Sequence, residues 1–324
     1  MTSAVISGAA GTAPAAPGRL YERPNLLRRR RRNFWSAMTF IGPWIFGFVL
    51  FTAWPMIYSL YLSMTNFDNI NAPRWVGFAN YQRMMEDPRI PRTLMNTFQF
   101  AIMSVPAQII VAVGLAMLLH RATIGTGFFR TTFFLPRMTP PVAVGVLFLL
   151  LFNGPQGIIN RVLSWVGITG PNWTVDGFWV RPGLVIMSLW TVGGTALILL
   201  AALKDVPKEL YESASIDGAS KMRQFWKITI PLISPQIFFV FIVNSIGALQ
   251  SFTEAYTAFF GGGSDAFRNE GALFYSIHLF EQAFRFFRMG YASAMAWVLF
   301  VIIMIITAIQ FWGSRRFVFY EGDH

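Results

Sequence analysis

The chain has 324 residues, of which 54% are hydrophobic and 13% charged, and its formal net charge is +11. Its mean hydropathy is +0.49, so it carries more apolar surface than a soluble domain of this size can bury. The composition excludes an ordinary soluble protein and indicates a chain that crosses a membrane several times.

The first 34 residues are rich in small residues and proline and end in the basic run Arg28–Arg32. Such a segment cannot bury a core, so we predict a disordered basic tail over residues 1–34. The apolar stretch after it is long enough to cross a membrane and has no small-residue cleavage pattern, which argues against a cleaved signal peptide. Because the arginines adjoin a span, we expect them to attract anionic lipid and fix topology, and we expect no nucleic-acid partner.

Six segments approach the roughly 20 apolar residues that a helix needs to cross a bilayer. They lie near residues 39–64, 96–119, 131–152, 183–203, 236–258 and 290–312. With the N-terminus inside, the cytoplasmic segments hold more Lys and Arg than outer segments of nearly equal length, as the positive-inside rule requires. The sequence therefore predicts an all-α polytopic membrane protein with six transmembrane helices and both termini cytoplasmic.

This topology divides the chain into four parts. They are a basic cytoplasmic tail (1–34), a first transmembrane helix with its outer loop (35–94), a main transmembrane domain (95–313) and a cytoplasmic C-terminal tail (314–324). The segments near 65–95, 153–182 and 259–289 should face outwards.

The third and fourth spans contain residues that disturb a helix. Pro140 and Pro141 leave backbone groups unpaired, so a kink is expected there. Arg137, just before them, is expected to reach the lipid headgroups. In the fourth span, Trp190 precedes the flexible pair Gly193-Gly194.

A charged segment, residues 204–235, separates the fourth and fifth spans and contains every lysine of the chain. Asp205 is predicted to cap a short helix over about 206–216. Gly218 can adopt the left-handed conformation that ends such a helix.

A second short helix is predicted after the bend. Asp217 or Ser220 would cap it, and Pro231 and Pro235 would stop it. Helices this short are marginal alone in water, so their apolar faces must pack on something. That surface can be the membrane domain itself or a partner protein, and the spacing alone does not decide between them.

The fifth span carries a series of polar residues at helical spacing. Asn244, Ser251 and Glu254 recur along one face, with Gln250 beside them. Polar and ionisable groups inside a span are costly unless they line water or find a partner, so this face can border a hydrophilic route. Asn and Ser in spans also form structural hydrogen bonds between helices, and that alternative stays open.

Residue patterns for chemistry on the chain itself are missing from the sequence. A P-loop needs Gly-Lys followed by Ser or Thr, and no lysine here follows a glycine. The histidines lie far apart, so no metal cluster is predicted, and without cysteine there is neither thiol chemistry nor a disulfide framework. We expect a chain that is not an enzyme, so any energy from ATP must arrive through another polypeptide docked on residues 204–235.

The charged segment resembles the EAA motif of bacterial ABC importer permeases. Glu212-Ser213-Ala214 is followed after three residues by Gly218, and after nine more by Ile228-Thr229-Ile230-Pro231, as in E-A-A-x3-G-x9-I-x-L-P. Ser213 and Ile230 depart from the motif, both as small or conservative changes. Shorter matches to carbohydrate-uptake permeases extend the resemblance over about residues 34–313; they are W-x-G-L-x-N-Y at 75–81, F-F-R and F-L-P at 128–136, G-x-x-N at 157–160 and R-M-G-Y-A-S-A at 288–294.

The resemblance implies a type I ABC importer permease of the maltose or glycerol-phosphate type, located in the bacterial plasma membrane. Such an importer pairs two permease chains, here expected to be homologous, with two ATPase subunits and an extracytoplasmic solute-binding protein. ATP and Mg would belong to the ATPase, so no cofactor is expected on this chain.

The resemblance also assigns roles to residues of the charged segment. It implies that the segment forms coupling helices, with Glu212 as a charged anchor to the ATPase and Gly218 as the bend. The other residues expected to couple to the ATPase are Ser213, Ala214, Asp217, Ile228 and Pro231.

For the solute pathway, we expect Asn244, Gln250, Ser251 and Glu254 to offer hydrogen bonds to sugar hydroxyls. Trp190 can stack on a pyranose ring, or it can merely fill a packing gap.

Two other functions remain open at this level. A secondary sugar transporter driven by an ion gradient needs a buried acid or unwound carbonyls, and only Glu254 is available as the acid. A membrane-embedded enzyme should show paired carboxylates or a metal site, whereas Asp68, Glu86 and Asp87 are scattered in an outer loop.

Overall fold

The computed structural model describes residues 26–121, 124–260, 269–315 and 318. Helices dominate these residues. The predicted N-terminal tail up to residue 25 and nearly all of the predicted tail 314–324 lie outside the described part of the chain.

The helices of the first half are α1 (Leu26–Phe48), α2 (Trp54–Ser63), α3 (Ala79–Glu86), α4 (Arg89–Arg121), α5 (Thr126–Phe134), α6 (Pro141–Phe152) and α7 (Ile158–Trp165). Those of the second half are α8 (Val180–Leu189), α9 (Gly193–Asp205), α10 (Lys208–Ile216), α11 (Lys221–Gln224), α12 (Ile230–Leu232), α13 (Ser234–Leu249), α14 (Thr253–Phe259), α15 (Tyr275–Phe280) and α16 (Met289–Ser314). A two-residue antiparallel pair, β1 (Thr65–Asn66) and β2 (Arg74–Trp75), follows α2 with Thr65 opposite Trp75.

The described chain divides into two compact units, one ending at Tyr58 and the other beginning at Ser59. In the first unit, α1 leads through a π-helical turn, Val49–Ala53, into the start of α2. Helix α1 begins at Leu26, within the segment 1–34 that was predicted to be a tail. Leucine and arginine are good helix formers, so the basic run continues the helix of the span.

Four helices are long and apolar enough to cross a membrane, judged by length and composition in the described residues. They are Ser36–Ser63, Arg89–Arg121, Ser234–Phe259 and Met289–Ser314. Two bent pairs also qualify, Thr126–Met138 with Pro141–Phe152 at 94° and Val180–Leu189 with Gly193–Asp205 at 50°, which raises the count to six if each pair is one span. The kink expected at Pro140-Pro141 is confirmed by the sharper of the two bends.

In the second unit, α4 is the central helix and packs against α8, α9 and α13. Its first half joins a core around Phe148, Phe259 and Tyr275. Its second half joins another core, in which Ala112 and Ala116 meet the apolar face of α9. Small residues at these positions let the helix backbones approach closely, as is common in membrane bundles.

The β pair is held to the start of α16. The Asn80 side-chain amide donates to the carbonyl oxygens of Ser63 and Thr65, both at 2.9 Å. A Cβ at Gly290 would overlap the carbonyl oxygen of Thr65, so only glycine permits this approach. The sequence matches at 75–81 and 288–294 therefore meet in space.

The charged segment contains two departures from the sequence analysis. Asp205 ends α9 and does not cap α10, because Val206 precedes Pro207 and takes the extended backbone that a proline imposes on its neighbour. Pro231 does not stop the second helix, because it lies in the first turn of α12, where a missing N–H costs nothing. A π-helical turn, Phe225–Thr229, connects α11 to α12.

Candidate functional site

Three helix breaks in the second unit border one cavity. The first lies between α5 and α6, where a 3-10 turn, Leu135–Met138, precedes Pro140. The second separates α8 from α9 at residues 190–192, and the third separates α13 from α14 at residues 250–252. The cavity has a volume of about 360 Å³, and all three breaks contribute residues to its wall. Broken helices that line a polar cavity are typical of membrane transport proteins.

The second break depends on close backbone packing. A Cβ at Gly193 would overlap the carbonyl oxygen of Phe133. At Gly194 a Cβ would lie 3.7 Å from Cγ of Arg137, an ordinary contact. Close packing therefore explains Gly193, which lets the segment carrying Arg137 approach α9, whereas Gly194 is not required by packing.

The third break packs against α6. Phe252 adopts φ −143° and ψ −66°, outside the helical region, immediately before α14. A Cβ at Gly145 of α6 would lie only 2.8 Å from the carbonyl oxygen of Glu254, so α6 and α14 are in close contact. This packing fixes the position of Glu254 beside the cavity.

The cavity wall is strongly polar for a site within a membrane bundle. Its polar members are Gln108, Arg137, Ser188, Thr191, Asn244, Gln250, Ser251, Thr253 and Glu254. Apolar residues complete it, among them Phe100, Leu184, Met187 and Phe252. Such a mixture can hydrogen-bond a hydroxylated molecule while its aromatic rings cover apolar faces.

The structure brings most of the predicted pathway residues together. Asn244, Gln250, Ser251 and Glu254 all line the cavity. Trp190 is not among the residues that line it, and its side chain is 55% exposed.

Arg137 was expected to reach lipid headgroups but lines the cavity instead. The sequence signal that could have found it is its place just before the Pro140-Pro141 break, which turns the backbone into the bundle.

The residues that line the cavity include two charged side chains and one with an unpaired buried amide. Neither Arg137 nor Glu254 makes an ion pair in the described parts of the chain. The side-chain nitrogen of Asn244 is buried and has no hydrogen-bond partner. An unpaired buried amide is costly, so a bound molecule that accepts its hydrogen bond would stabilise the site.

The charged segment forms a second candidate site, a bent helix pair. Gly218 has φ +74° and lies in the left-handed region, as predicted. The Ala219 N–H donates to the Ala214 carbonyl at 2.8 Å, which closes the bend. The Ser220 hydroxyl caps α11 by accepting from the Arg223 N–H at 3.3 Å, as the sequence analysis allowed.

Side-chain hydrogen bonds connect α10 with the residues that follow the bend. The Tyr211 and Thr229 hydroxyls lie 2.9 Å apart, and the Gln224 amide donates to the Ser215 hydroxyl at 2.8 Å. The pair therefore has a defined shape although each helix is short.

The apolar residues of the bent pair divide between two environments. Val206 is buried in the core of the bundle, and Phe225 packs against that core. The side chains of four others are exposed, with exposed fractions of 42% for Leu210, 87% for Ile216, 66% for Met222 and 60% for Trp226. Glu212 is also exposed, and the described chain supplies no ion-pair partner for it.

The carboxylates considered for an enzyme do not form a catalytic group. No cluster of three or more potential metal ligands occurs in the described ranges. Asp87 instead accepts hydrogen bonds from the Tyr291 hydroxyl at 2.9 Å and the backbone N–H of Arg89 at 2.9 Å, and lies 3.2 Å from Nε2 of His278. These contacts join α3, α4, α15 and α16, which is a structural role.

Comparison with known families gives one match over most of the chain. Residues 108–318 match the family described as "Binding-protein-dependent transport system inner membrane component". This range includes the bent helix pair and every residue named on the cavity wall except Phe100.

Several curated proteins are similar over nearly the whole chain. The probable ABC transporter permease protein YesP of Bacillus subtilis (strain 168) is 39% identical over 307 residues, covering 91% of this chain and 95% of the relative. The lactose transport system permease protein LacF of Rhizobium radiobacter is 32% identical, covering 91% and 98%. The sn-glycerol-3-phosphate transport system permease protein UgpA of Agrobacterium fabrum is 31% identical, covering 86% and 94%.

A solved structure has the same fold. It is a crystal structure of a bacterial ABC transporter involved in the import of the acidic polysaccharide alginate, with a TM-score of 0.77 and 23% identity over 90% of this chain and 99% of that one. A second structure of an alginate transporter, in complex with an alginate pentasaccharide-bound periplasmic protein, also gives a TM-score of 0.77. At this identity the likeness establishes the fold alone.

Proposed function

Because the chain belongs to the family of binding-protein-dependent transport system inner membrane components, we propose that it forms half of a sugar-importing pore and couples to a separate ATPase through residues 204–235. The chain is an ABC transporter permease of the inner membrane, a transport component rather than an enzyme, as the sequence analysis expected. The named relatives for lactose and sn-glycerol-3-phosphate support a sugar or sugar derivative as the solute.

The observation that carries the coupling proposal is the exposed face of the bent helix pair. Leu210, Ile216, Met222 and Trp226 present apolar side chains outside the bundle. Burying one such side chain is worth about 1.5–3 kcal/mol, which is enough to favour a partner surface. Glu212 supplies a free charge beside this face, and it can anchor the helix to a basic group of the ATPase.

The proposed assembly is the one expected for an importer of this family. The partners are a second, homologous permease, two ATPase subunits and an extracytoplasmic solute-binding protein. The solved complex with a periplasmic protein supports the last of these. ATP and Mg belong to the ATPase, and this chain holds no cofactor of its own.

The proposed topology has six spans and both termini in the cytoplasm. The bent pair then faces the ATPase, and the cavity lies within the membrane. Closure of the ATPase pair would move the bent pair, and alternating access at the cavity would pass the solute inwards. Asn244, Gln250, Ser251 and Glu254 would contact the solute, whereas Trp190 would lie outside the pathway wall.

The bend can be tested with substitutions at Gly218. Valine is strained in the left-handed region, whereas asparagine tolerates it. Gly218→Val should abolish co-purification of the ATPase and solute uptake, and Gly218→Asn should retain most of both. Gly127→Ala is the control, because a Cβ there meets open space.

The charged anchor is tested by Glu212→Lys, which should weaken ATPase association while membrane insertion stays normal. Normal association and uptake in both Glu212→Lys and Gly218→Val would refute coupling through this segment. Uptake that persists without ATP and collapses with the ion gradient would favour a secondary transporter instead.

A further inference from the structure

We propose that Arg137 binds an anionic group of the solute, so that this permease admits a saccharide carrying a negative charge. The inference rests on the proposed function and adds a property that the relatives do not decide, since lactose is neutral and sn-glycerol-3-phosphate is not. It assigns a role to Arg137, the one cationic side chain among the described residues that line the cavity.

The packing around Arg137 places its side chain at the cavity. Arg137 lies in the 3-10 turn between α5 and α6, immediately before the Pro140 break. Its stem runs beside Gly194, where an added Cβ would lie 3.7 to 3.9 Å from Cγ, Cδ and Nε. Gly193 lets the Phe133 backbone close on α9, which brings this stem to the second break. The guanidinium is therefore positioned by two helix breaks.

The charge of Arg137 has no partner among the described residues. Two other arginines of this unit have a polar partner, one a neutral amide and one a carboxylate. The Arg181 guanidinium donates to the Asn96 side chain at 3.0 Å, and Arg285 lies 3.3 Å from the Glu281 carboxylate. A guanidinium stays charged at any physiological pH, and a charge within a membrane bundle marks a solute route or needs a counter-charge.

Glu254 lines the same cavity but makes no ion pair with Arg137. Glu254 lies in the first turn of α14, where unpaired backbone N–H groups favour a carboxylate. The cavity therefore presents a separate cation and a separate hydrogen-bond acceptor.

A saccharide with one oxyanion and several hydroxyls satisfies all of these groups together. Its carboxylate or phosphate ester would take two parallel hydrogen bonds from Arg137, the geometry that a guanidinium favours. Its hydroxyls would donate to Glu254 and accept from the buried, unpaired amide of Asn244. A neutral sugar would leave Arg137 without a counter-charge.

The chain contains no cysteine, which allows a direct binding assay. Val243 lines the cavity and is exposed, so Val243→Cys places the only thiol of this chain on the wall. The full importer carrying this variant would be treated with the uncharged reagent N-ethylmaleimide. Galactose, galacturonate and galactose 1-phosphate would be added as protecting probes, so that the carboxylate and the phosphate ester are tested separately.

Galacturonate or galactose 1-phosphate should protect the thiol at a roughly tenfold lower concentration than galactose, as expected for one charge-assisted hydrogen bond. Adding Arg137→Gln should remove this preference, so that galactose and the anionic probes protect at similar concentrations. Arg137→Lys keeps the positive charge but cannot make two parallel hydrogen bonds, so it should retain part of the preference for anionic probes.

Equal protection by neutral and anionic probes, protection by none, or a preference that survives Arg137→Gln would overturn the proposal. Equal protection by neutral and anionic probes is the result expected if a carboxylate of the second permease already neutralises Arg137. Stimulation of the ATPase by the solute-loaded binding protein is measured in parallel. If that stimulation is normal while the preference is absent, the inference fails and the proposed function stands.

Discussion

Asn244 and Ser245 are neighbours on α13 with opposite surroundings. The Asn244 amide nitrogen is buried at the cavity without a partner. The Ser245 hydroxyl donates to the Phe241 carbonyl at 2.7 Å and accepts from the Gln310 amide at 2.9 Å. The sequence left open whether polar residues of this span serve transport or structure. The geometry favours transport for Asn244 and structure for Ser245.

This contrast predicts different effects of two substitutions. Asn244→Leu should lower solute uptake at least several-fold while thermal stability in detergent stays equal or rises, because an unpaired buried amide is removed. Ser245→Ala should lower the free energy of unfolding by about 1–2 kcal/mol through lost hydrogen bonds, with uptake per folded transporter unchanged. If Asn244→Leu transports normally, Asn244 is not a pathway residue.

Gly193 and Gly194 provide a second matched pair. Gly193→Ala should destabilise the protein severely, by about 3 kcal/mol or more, because the new methyl overlaps the backbone of Phe133. Gly194→Ala adds a methyl in ordinary contact with the Arg137 stem and should cost less than about 1 kcal/mol. Thermal unfolding of both variants in the same detergent compares them. Equal stability would contradict the packing explanation of the second break.

At the scale of helices, the sequence predicted where the helices lie better than where each helix begins and ends. Hydrophobic length located the apolar segments, because a span needs a nearly fixed number of residues. Gly218 and Ser220 were predicted correctly, since a left-handed bend and a helix cap depend on local chemistry. The prediction that Asp205 caps the next helix was wrong. Pro207 favours an extended backbone at Val206, and this ends α9 at Asp205.

The candidate cavity was predictable only in part. The polar series near the end of α13 and the start of α14 follows from helical spacing, so four of the nine polar residues named on the wall were predicted. Arg137 was missed because its position depends on how α5 packs against Gly193 and Gly194, contacts distant in sequence. Trp190 was included because its type suits a sugar, but the break at residues 190–192 leaves it off the cavity wall.

The junction of α3, α4, α15 and α16 is centred on Asp87. Burial raises the pKa of the Asp87 carboxyl, but hydrogen bonds from the Arg89 backbone and the side chains of His278 and Tyr291 outweigh it, and the net pKa is lowered. A lowered pKa in the folded state means that the ionised carboxylate stabilises the junction. This contribution is present above the ordinary value of 3.8 and is lost as the pH falls through the lowered value.

Asp87→Asn should therefore destabilise the protein at neutral pH by about 1–3 kcal/mol, since hydrogen bonds to a charged group are lost. The difference from the wild type should shrink as the pH falls below the ordinary value of 3.8 and through the lowered pKa, because the wild-type carboxylate then becomes protonated. Unfolding followed by circular dichroism in detergent at several pH values measures this difference. Glu86→Gln, at an exposed neighbouring position, is the control and should show no such difference.

At the scale of the whole permease, two helices connect the cavity with the bent pair. α9 begins at the second break and ends at Asp205, and α13 begins just after α12 and ends at the third break. At 1.5 Å per residue each is about 20 Å long or slightly more. Each of these two helices has one end at the cavity and the other at the bent pair. Movement of the bent pair would therefore shift two walls of the cavity. This arrangement gives alternating access a physical route through rigid elements.

The direction of that movement depends on topology, which predicts opposite accessibility for two exposed aspartates. In the proposed topology Asp217, in the bent pair, should be cytoplasmic, and Asp176, in segment 153–182, should face outwards. The chain contains no cysteine, so Asp217→Cys and Asp176→Cys each create its only thiol. A membrane-impermeant maleimide should label Asp176→Cys in intact spheroplasts and Asp217→Cys only in inverted vesicles. The reverse pattern would invert the proposed topology, and labelling of both from one side would exclude an odd number of crossings between them.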